Sequence, residues 1–189
     1  HKACLAIFYQ IRRMAMIFRR PLLVLLCLWP ILGHAPANAA EVTDSTGRAV
    51  KVPDRIARVL PAGPPAAVLV AAIAPDLMIG WPGPLSEAAR ALLPTEVGKL
   101  PQVPRLTGRE DVIDKVKALK PDLIVDYGAV TPRYFDLAAA VQDRTGVPTL
   151  LYTGALEQIP RIARELGTVL HRQAQAERVA LFAEAVLAL

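Results

Sequence analysis

One segment limits what this chain can fold into more than any other: Thr107 to Gly128, TGREDVIDKVKALKPDLIVDYG. Val112, Ile113, Val116 and Leu119 recur at helical spacing while Asp111, Asp114, Lys115, Lys117 and Lys120 fill the other face, which predicts a short amphipathic helix. Thr107 and Glu110 have the spacing of a capping box, acids crowd the first turn, lysines crowd the last, and Pro121 disfavours helical geometry at Lys120. The apolar run Leu123-Ile124-Val125 then leads into Asp126-Tyr127 and stops at Gly128, the pattern of a buried strand in a parallel sheet. A helix feeding such a strand is a unit of an α/β domain.

The rest of the chain repeats this alternation. Ala40 to Pro53 alternates weakly about a turn at Ser45-Thr46-Gly47, predicting an edge hairpin. Ile56 to Leu60 and Leu77 to Trp81 are predicted as core strands, separated by the loop Pro61 to Pro65 and an almost wholly apolar helix from Ala66 to Ala74. A helix from Ser86 to Leu93, with Ser86 as N-cap, precedes an irregular connection from Val97 to Leu106. Beyond the central unit, Thr131 and Pro132 open a helix that runs to Arg144, Thr149 to Tyr152 is the next strand, and helices follow over Glu157 to Leu170 and Ala174 to Leu189. Strands alternating with helices imply a parallel sheet with right-handed crossovers. In the last helix Leu181, Phe182, Ala185, Val186 and Leu189 carry an apolar stripe to the final residue with no stop signal, which reads as a chain cut inside a helix.

Charge is unevenly placed. Five of the 22 basic residues, Lys2, Arg12, Arg13, Arg19 and Arg20, precede residue 40 and no acid does, so the remaining 17 balance 17 acids and the net +5 belongs to the leading segment. The basic total therefore says nothing about nucleic acid, and no nucleic-acid partner is expected. Arg19-Arg20, the apolar Leu22 to Leu32 and the small residues Ala37-Asn38-Ala39 follow the order of a cleavable secretory signal, so residues 1–39 are expected to be removed and the mature chain to start at Ala40. That apolar run is shorter than the roughly 20 residues of a spanning helix. Residues 1–13 precede Met14 and Met16 and are read as translation extended beyond the true start. Both cysteines, Cys4 and Cys27, lie in the leader, so the mature chain is expected to carry no disulfide, thiolate nucleophile or cysteine metal site.

The helix followed by Leu119-Lys120-Pro121-Asp122-Leu123-Ile124-Val125 and a loop resembles the N-terminal lobe of the periplasmic substrate-binding proteins that serve ABC importers of ferric siderophores, haem and cobalamin. Val42-Thr43-Asp44, Gly47-Arg48 and Val52-Pro53 resemble that family's opening hairpin. Arg55 to Leu60, Leu77 to Trp81 and Gly146 to Leu150 resemble its successive core strands. The resemblance implies a three-layer Rossmann-like α/β lobe with a mostly parallel central sheet over residues 40–172, and the start of a long interdomain helix over 173–189. It also implies a monomeric periplasmic receptor that holds a metal chelate between two lobes, docks on an inner-membrane ABC permease and does no covalent chemistry. No cofactor is expected. A glutamate on top of each lobe meets permease arginines in that family; Glu87 stands at the matching place, with Glu96 as second choice.

Ligands of open parallel sheets sit beyond the carboxyl ends of the strands. Those ends are predicted to present Pro64 and Pro65, Trp81, Tyr127 with Gly128, and Tyr152. Aromatic faces suit flat or bulky chelates. Trp81 is read as a ligand contact because Trp-Pro-Gly-Pro is a poor core sequence; Tyr152 is read as core, and for Tyr127 rim packing and ligand contact both stand. Tyr134 lies near the same rim as a half-buried helix residue or a phenolate donor to iron. Arg105 and Arg109 are candidates for a ligand carboxylate, or simply solvated cations. His171, the only histidine after the leader, is read as a surface residue, and one histidine does not make a free-metal receptor. G-x-S-x-G, G-x-G-x-x-G and G-x-x-x-x-G-K are all missing, so an enzyme of flavodoxin-like topology, the alternative reading, would have to rest on Asp126 and Tyr127.

Overall fold

The computed structural model describes residues 39–189. The expected leader, with Cys4, Cys27 and Trp29, lies outside them apart from Ala39. Strands β1 (Ala39–Thr43) and β2 (Ala49–Pro53) form the expected antiparallel hairpin, with Val42 opposite Val50. β2 buries Val50 and Val52 and exposes Ala49 and Lys51, the period-two pattern of a strand with one face on a core.

The central sheet is parallel, in the order β3 (Val59–Pro61), β4 (Leu123–Gly128), β5 (Thr149–Thr153), with Val59 beside Leu123 and Tyr127 beside Tyr152. Leu77 to Trp81 is not the full strand expected. Val59 donates to the Leu77 carbonyl (2.8 Å) and accepts from the Ile79 N–H (3.0 Å), then Trp81 bonds to Pro101 and Val103, leaving two isolated bridges. Pro82, Pro84, Pro101 and Pro104 have no N–H to give, so no continuous ladder can form along this edge. Pro61 likewise ends β3 after three residues.

Helices cover both faces. α1 (Pro64–Ile73), α6 (Ile159–Val169) and α7 (Gln173–Leu187) share a core with Val59, Leu123, Val125, Leu150 and Tyr152. On the other face α4 (Glu110–Leu119) and α5 (Pro132–Thr145) pack Ile113, Val116 and Val141 against Leu60 and Ile124. Two short helices, α2 (Glu87–Ala91) and α3 (Thr95–Gly98), lie in the connection between them; Ser86 caps α2 as expected, its Oγ accepting from the Ala89 N–H at 3.1 Å.

One expectation about the helices needs correction. α4 starts after Arg109, so Thr107 is too far upstream to cap it; its Oγ1 is buried without a partner, and Glu110 instead pairs with Arg144 of α5. In α7 the buried residues are Ala176, Ala180 and Ala183, while Leu181, Phe182, Val186, Leu187 and Leu189 are exposed. Small side chains face inward because α6 approaches closely: a methyl at Gly167 would overlap the Ala176 Cβ.

The carboxyl end of α4 is tied down from afar. Lys120 leaves the helix with a left-handed φ of 48°, and Arg58 donates to the Leu119 (2.9 Å) and Lys120 (3.2 Å) carbonyls, a cation at the negative end of the helix. Asp122 accepts from the Ala57 (2.8 Å) and Arg58 (2.9 Å) N–H groups and so aligns the entry to β3 with the entry to β4. Asp122→Ala should therefore lower thermal stability by about 1–2 kcal/mol. Asp122→Asn, which keeps one acceptor, should recover part of it in the same melting experiment, and full stability in the alanine variant would refute the tie.

Candidate functional site

The sheet reverses direction of growth between β3 and β4. From β3 the chain crosses by α1 to the outer segment at Leu77; from β4 it crosses by α5, on the opposite face, to β5. Loops leaving neighbouring strands toward opposite faces part above the sheet, and the crevice they leave is where open α/β sheets bind ligands. A cleft of about 720 Å³ occupies that crevice. Ala62, Gly63 and Pro65 wall it from the end of β3, and Asp126, Tyr127 and Gly128 from the end of β4. Arg105 and Thr107 come from the connection before α4, and Arg133 and Tyr134 from the first turn of α5.

Glycine is required at the floor. Gly128 has φ 155°, a conformation side chains rarely adopt, and its carbonyl accepts from the Gly154 N–H at 2.6 Å. A Cβ at Gly154 would stand 3.0 Å from the Gly128 Cα, so a side chain there would press the ends of β4 and β5 apart.

The cleft thus brings together Pro65, Arg105, Tyr127, Gly128 and Tyr134 from the residues singled out in the sequence. Pro64 and Trp81 stand apart from it. They line a smaller apolar groove of about 150 Å³ with Val68 and Pro82. Trp81 is only 7% exposed, packs in the core beside α1, and donates its indole N–H to the Val97 carbonyl at 2.9 Å. Tyr152 is core, as read: it is 1% exposed, and burial followed by the neighbouring Glu165 carboxylate drives its hydroxyl far above the usual phenol range. Tyr127 is half-buried at the cleft and burial raises its phenol too. Tyr134 is 37% exposed on the cleft wall.

Of the two arginines proposed for a ligand carboxylate, Arg109 pairs with Asp111 at 2.9 Å and does not line the cleft. Arg105 does, and so does Arg133, which sequence reading passed over. Among the described residues neither guanidinium has a hydrogen bond or ion pair, whereas Arg48, Arg144, Arg161, Arg164 and Arg172 all hold carboxylates. The only hint in the sequence was the position of Arg133 directly after the Pro132 that opens α5. Asp126 also faces the cleft; burial pushes its carboxyl above the ordinary value, opposed by the Tyr127 N–H and the Arg105 charge. Asp122 lies at the other end of β4, engaged with Ala57 and Arg58, so the strand does not offer a carboxylate pair.

His171 is remote. It takes a left-handed φ of 53° at the corner between α6 and α7, is exposed, and places a ring nitrogen 3.1 Å from the Asp54 carbonyl. Among the described residues no group of three or more His, Cys, Asp or Glu converges as a metal site, and no helix is long and apolar enough to cross a membrane. Glu87 is exposed at the first position of α2, and Glu96 is exposed and pairs with Lys99 at 3.4 Å.

No protein-family model matches the chain, and no curated protein matches it. Solved structures do. An ABC transporter solute-binding protein from Sulfurospirillum deleyianum superposes with a TM-score of 0.63 at 23% identity, covering 74% of this chain and 45% of that one. A periplasmic solute-binding protein from Veillonella parvula gives 0.59 at 21% identity, over 80% and 46%. The siderophore-binding protein BauB, solved with two acinetobactin molecules and ferric iron, gives 0.56 at 14% identity, over 78% and 51%. The chain spans about half the length of these structures. Its described part has the fold of one lobe of the solute-binding proteins of ABC transporters, with the cleft on the edge where the strand order reverses.

Proposed function

We propose that this chain is the ligand-gripping lobe of a periplasmic solute-binding protein that captures an already chelated metal, such as a ferric siderophore, haem or cobalamin, and passes it to an inner-membrane ABC permease. The observation that carries this reading is the one-sided cleft at the switch point, where two unengaged arginines and two tyrosines stand together with no cluster of metal-ligating side chains among the described residues. Such a wall offers hydrogen bonds, charge and aromatic surface to the organic shell of a chelate. The ligand is held between this lobe and a second one, consistent with structural neighbours about twice as long. Residues 1–39 serve as the export signal, the receptor acts as a monomer, and exposed Glu87 is the docking contact with the permease. No covalent step is involved.

Calorimetric titration of the full-length protein with hemin, a ferric trihydroxamate, cobalamin and molybdate tests this. Binding of at least one chelate is expected, weakened roughly tenfold by Arg105→Ala through loss of a charge-assisted hydrogen bond, with little change in melting temperature because among the described residues the guanidinium makes no hydrogen bond or ion pair. Binding of molybdate alone, or of none of the four, would overturn the reading.

A further inference from the structure

Asp126 has no task in the fold. Along β4, Ile124 packs into the core beneath α4 and α5, and two residues later on the same face the chain places a carboxyl at the open end of that core, in the cleft wall. An apolar side chain there would extend the core. The carboxyl takes one hydrogen bond, on Oδ1 from the Tyr127 N–H at 2.9 Å, and among the described residues Oδ2 has no donor and no lysine or arginine forms an ion pair with it. Asp44, by contrast, has protein donors on both oxygens, and Asp122 takes two backbone N–H groups on one oxygen that join the entries of two strands. A half-buried carboxylate without a partner destabilises the folded state at neutral pH. Its neighbours in the cleft wall are Arg105 ahead of α4, Tyr127 on its own strand, and Arg133, Tyr134 and Asp136 on α5.

Resting on the cleft reading, we infer that Asp126 is a specificity-determining residue: its free oxygen accepts a hydrogen bond from a protonated amine or other N–H or O–H donor on the chelate, beside arginines that take the chelate's anionic oxygens. The cleft therefore selects chelates that carry both a donor and anionic or carbonyl oxygens over chelates that present anionic oxygens alone. Burial keeps the carboxyl above its usual range, so the selection fades as the pH falls and the group is protonated.

A pair of probes that differ at one heavy atom tests this on the full-length protein: a ferric trihydroxamate with a free terminal amine, and the same chelate with a methyl group in place of that amine. The amine form is expected to bind the wild type roughly tenfold more tightly at neutral pH. That preference should shrink on acidification and vanish at all pH values in Asp126→Leu, which removes the acceptor and whose melting temperature at neutral pH should equal or exceed that of the wild type. Equal binding of the two probes by the wild type, or a preference that survives in Asp126→Leu, overturns the assignment and leaves the cleft reading standing. Failure of the wild type to bind either probe, hemin or cobalamin overturns both.

Discussion

Asp44→Ala is expected to lower the unfolding free energy by about 3–5 kcal/mol, the usual effect of removing one partner from a buried ion pair. The Asp44 side chain is inaccessible to solvent, and its oxygens accept from the Thr46 N–H (2.9 Å) and hydroxyl (2.6 Å), from Arg48 Nη2 (2.9 Å), and from the Leu151 N–H (3.3 Å) on the outer edge of β5. Arg48 reaches on to the Thr149 carbonyl (2.6 Å), and Ser45 bonds to β5 through both its N–H and its hydroxyl. One turn thereby closes the free edge of the sheet and joins the hairpin to it. Alanine takes the carboxylate from Arg48 and leaves the Leu151 N–H unpaired, and an unpaired buried group costs more than the bond itself gained. Burial alone would raise the Asp44 carboxyl, but the hydrogen bonds from Thr46 and Arg48 outweigh it and hold the group below its ordinary value. A carboxyl depressed in the folded state contributes stability that is complete above its unfolded value, roughly pH 4, and is lost as the pH falls through the lower folded value. Chemical denaturation of the wild type between pH 5 and 2 should show that loss, and the alanine variant should lack most of it. A variant as stable as the wild type at neutral pH would show that the latch is decorative.

Trp81→Ala should cost a similar amount, about 3–5 kcal/mol, because a large buried ring is lost and the Val97 carbonyl loses the shorter of its hydrogen bonds. Trp81→Phe should recover much of this by refilling the space. Tyr134→Ala on the exposed wall of the cleft should by comparison cost less than about 1 kcal/mol, since little packing is removed. The two substitutions separate core from site: thermal melting distinguishes Trp81 from wild type and barely registers Tyr134, whereas chelate titration should respond to Tyr134. A Trp81→Ala protein that melts normally and fails to bind would return Trp81 to the site. The indole lies in the core and away from the cleft, so ligand binding should leave its emission largely unquenched.

Much of this protein was legible in local pattern. Helical spacing from Val112 to Leu119, the exit at Lys120 before Pro121, the apolar run of β4 and the Thr131-Pro132 helix start are short-range signals, set by steric limits and side-chain periodicity within a few residues. From strands alternating with helices followed the parallel sheet and the side of it on which the cleft opens, so Tyr127, Gly128, Arg105 and Tyr134 could be named as neighbours before any was placed. Three things waited for the tertiary structure. Trp81 belongs to the core because Val97, 16 residues away, turns its carbonyl toward the indole. The capping box at Thr107 does not form: the helix starts two residues later than the box needs, and Glu110 pairs with Arg144, 34 residues beyond it. Asp44 reads as an ordinary turn residue, yet it closes the edge of a strand 107 residues later. In each case the deciding partner is distant in sequence, and its position depends on packing of the whole lobe. Periodicity reports which face of an element is buried; only the assembled core determines which polar atoms meet there and which, like the free oxygen of Asp126, are left for a ligand.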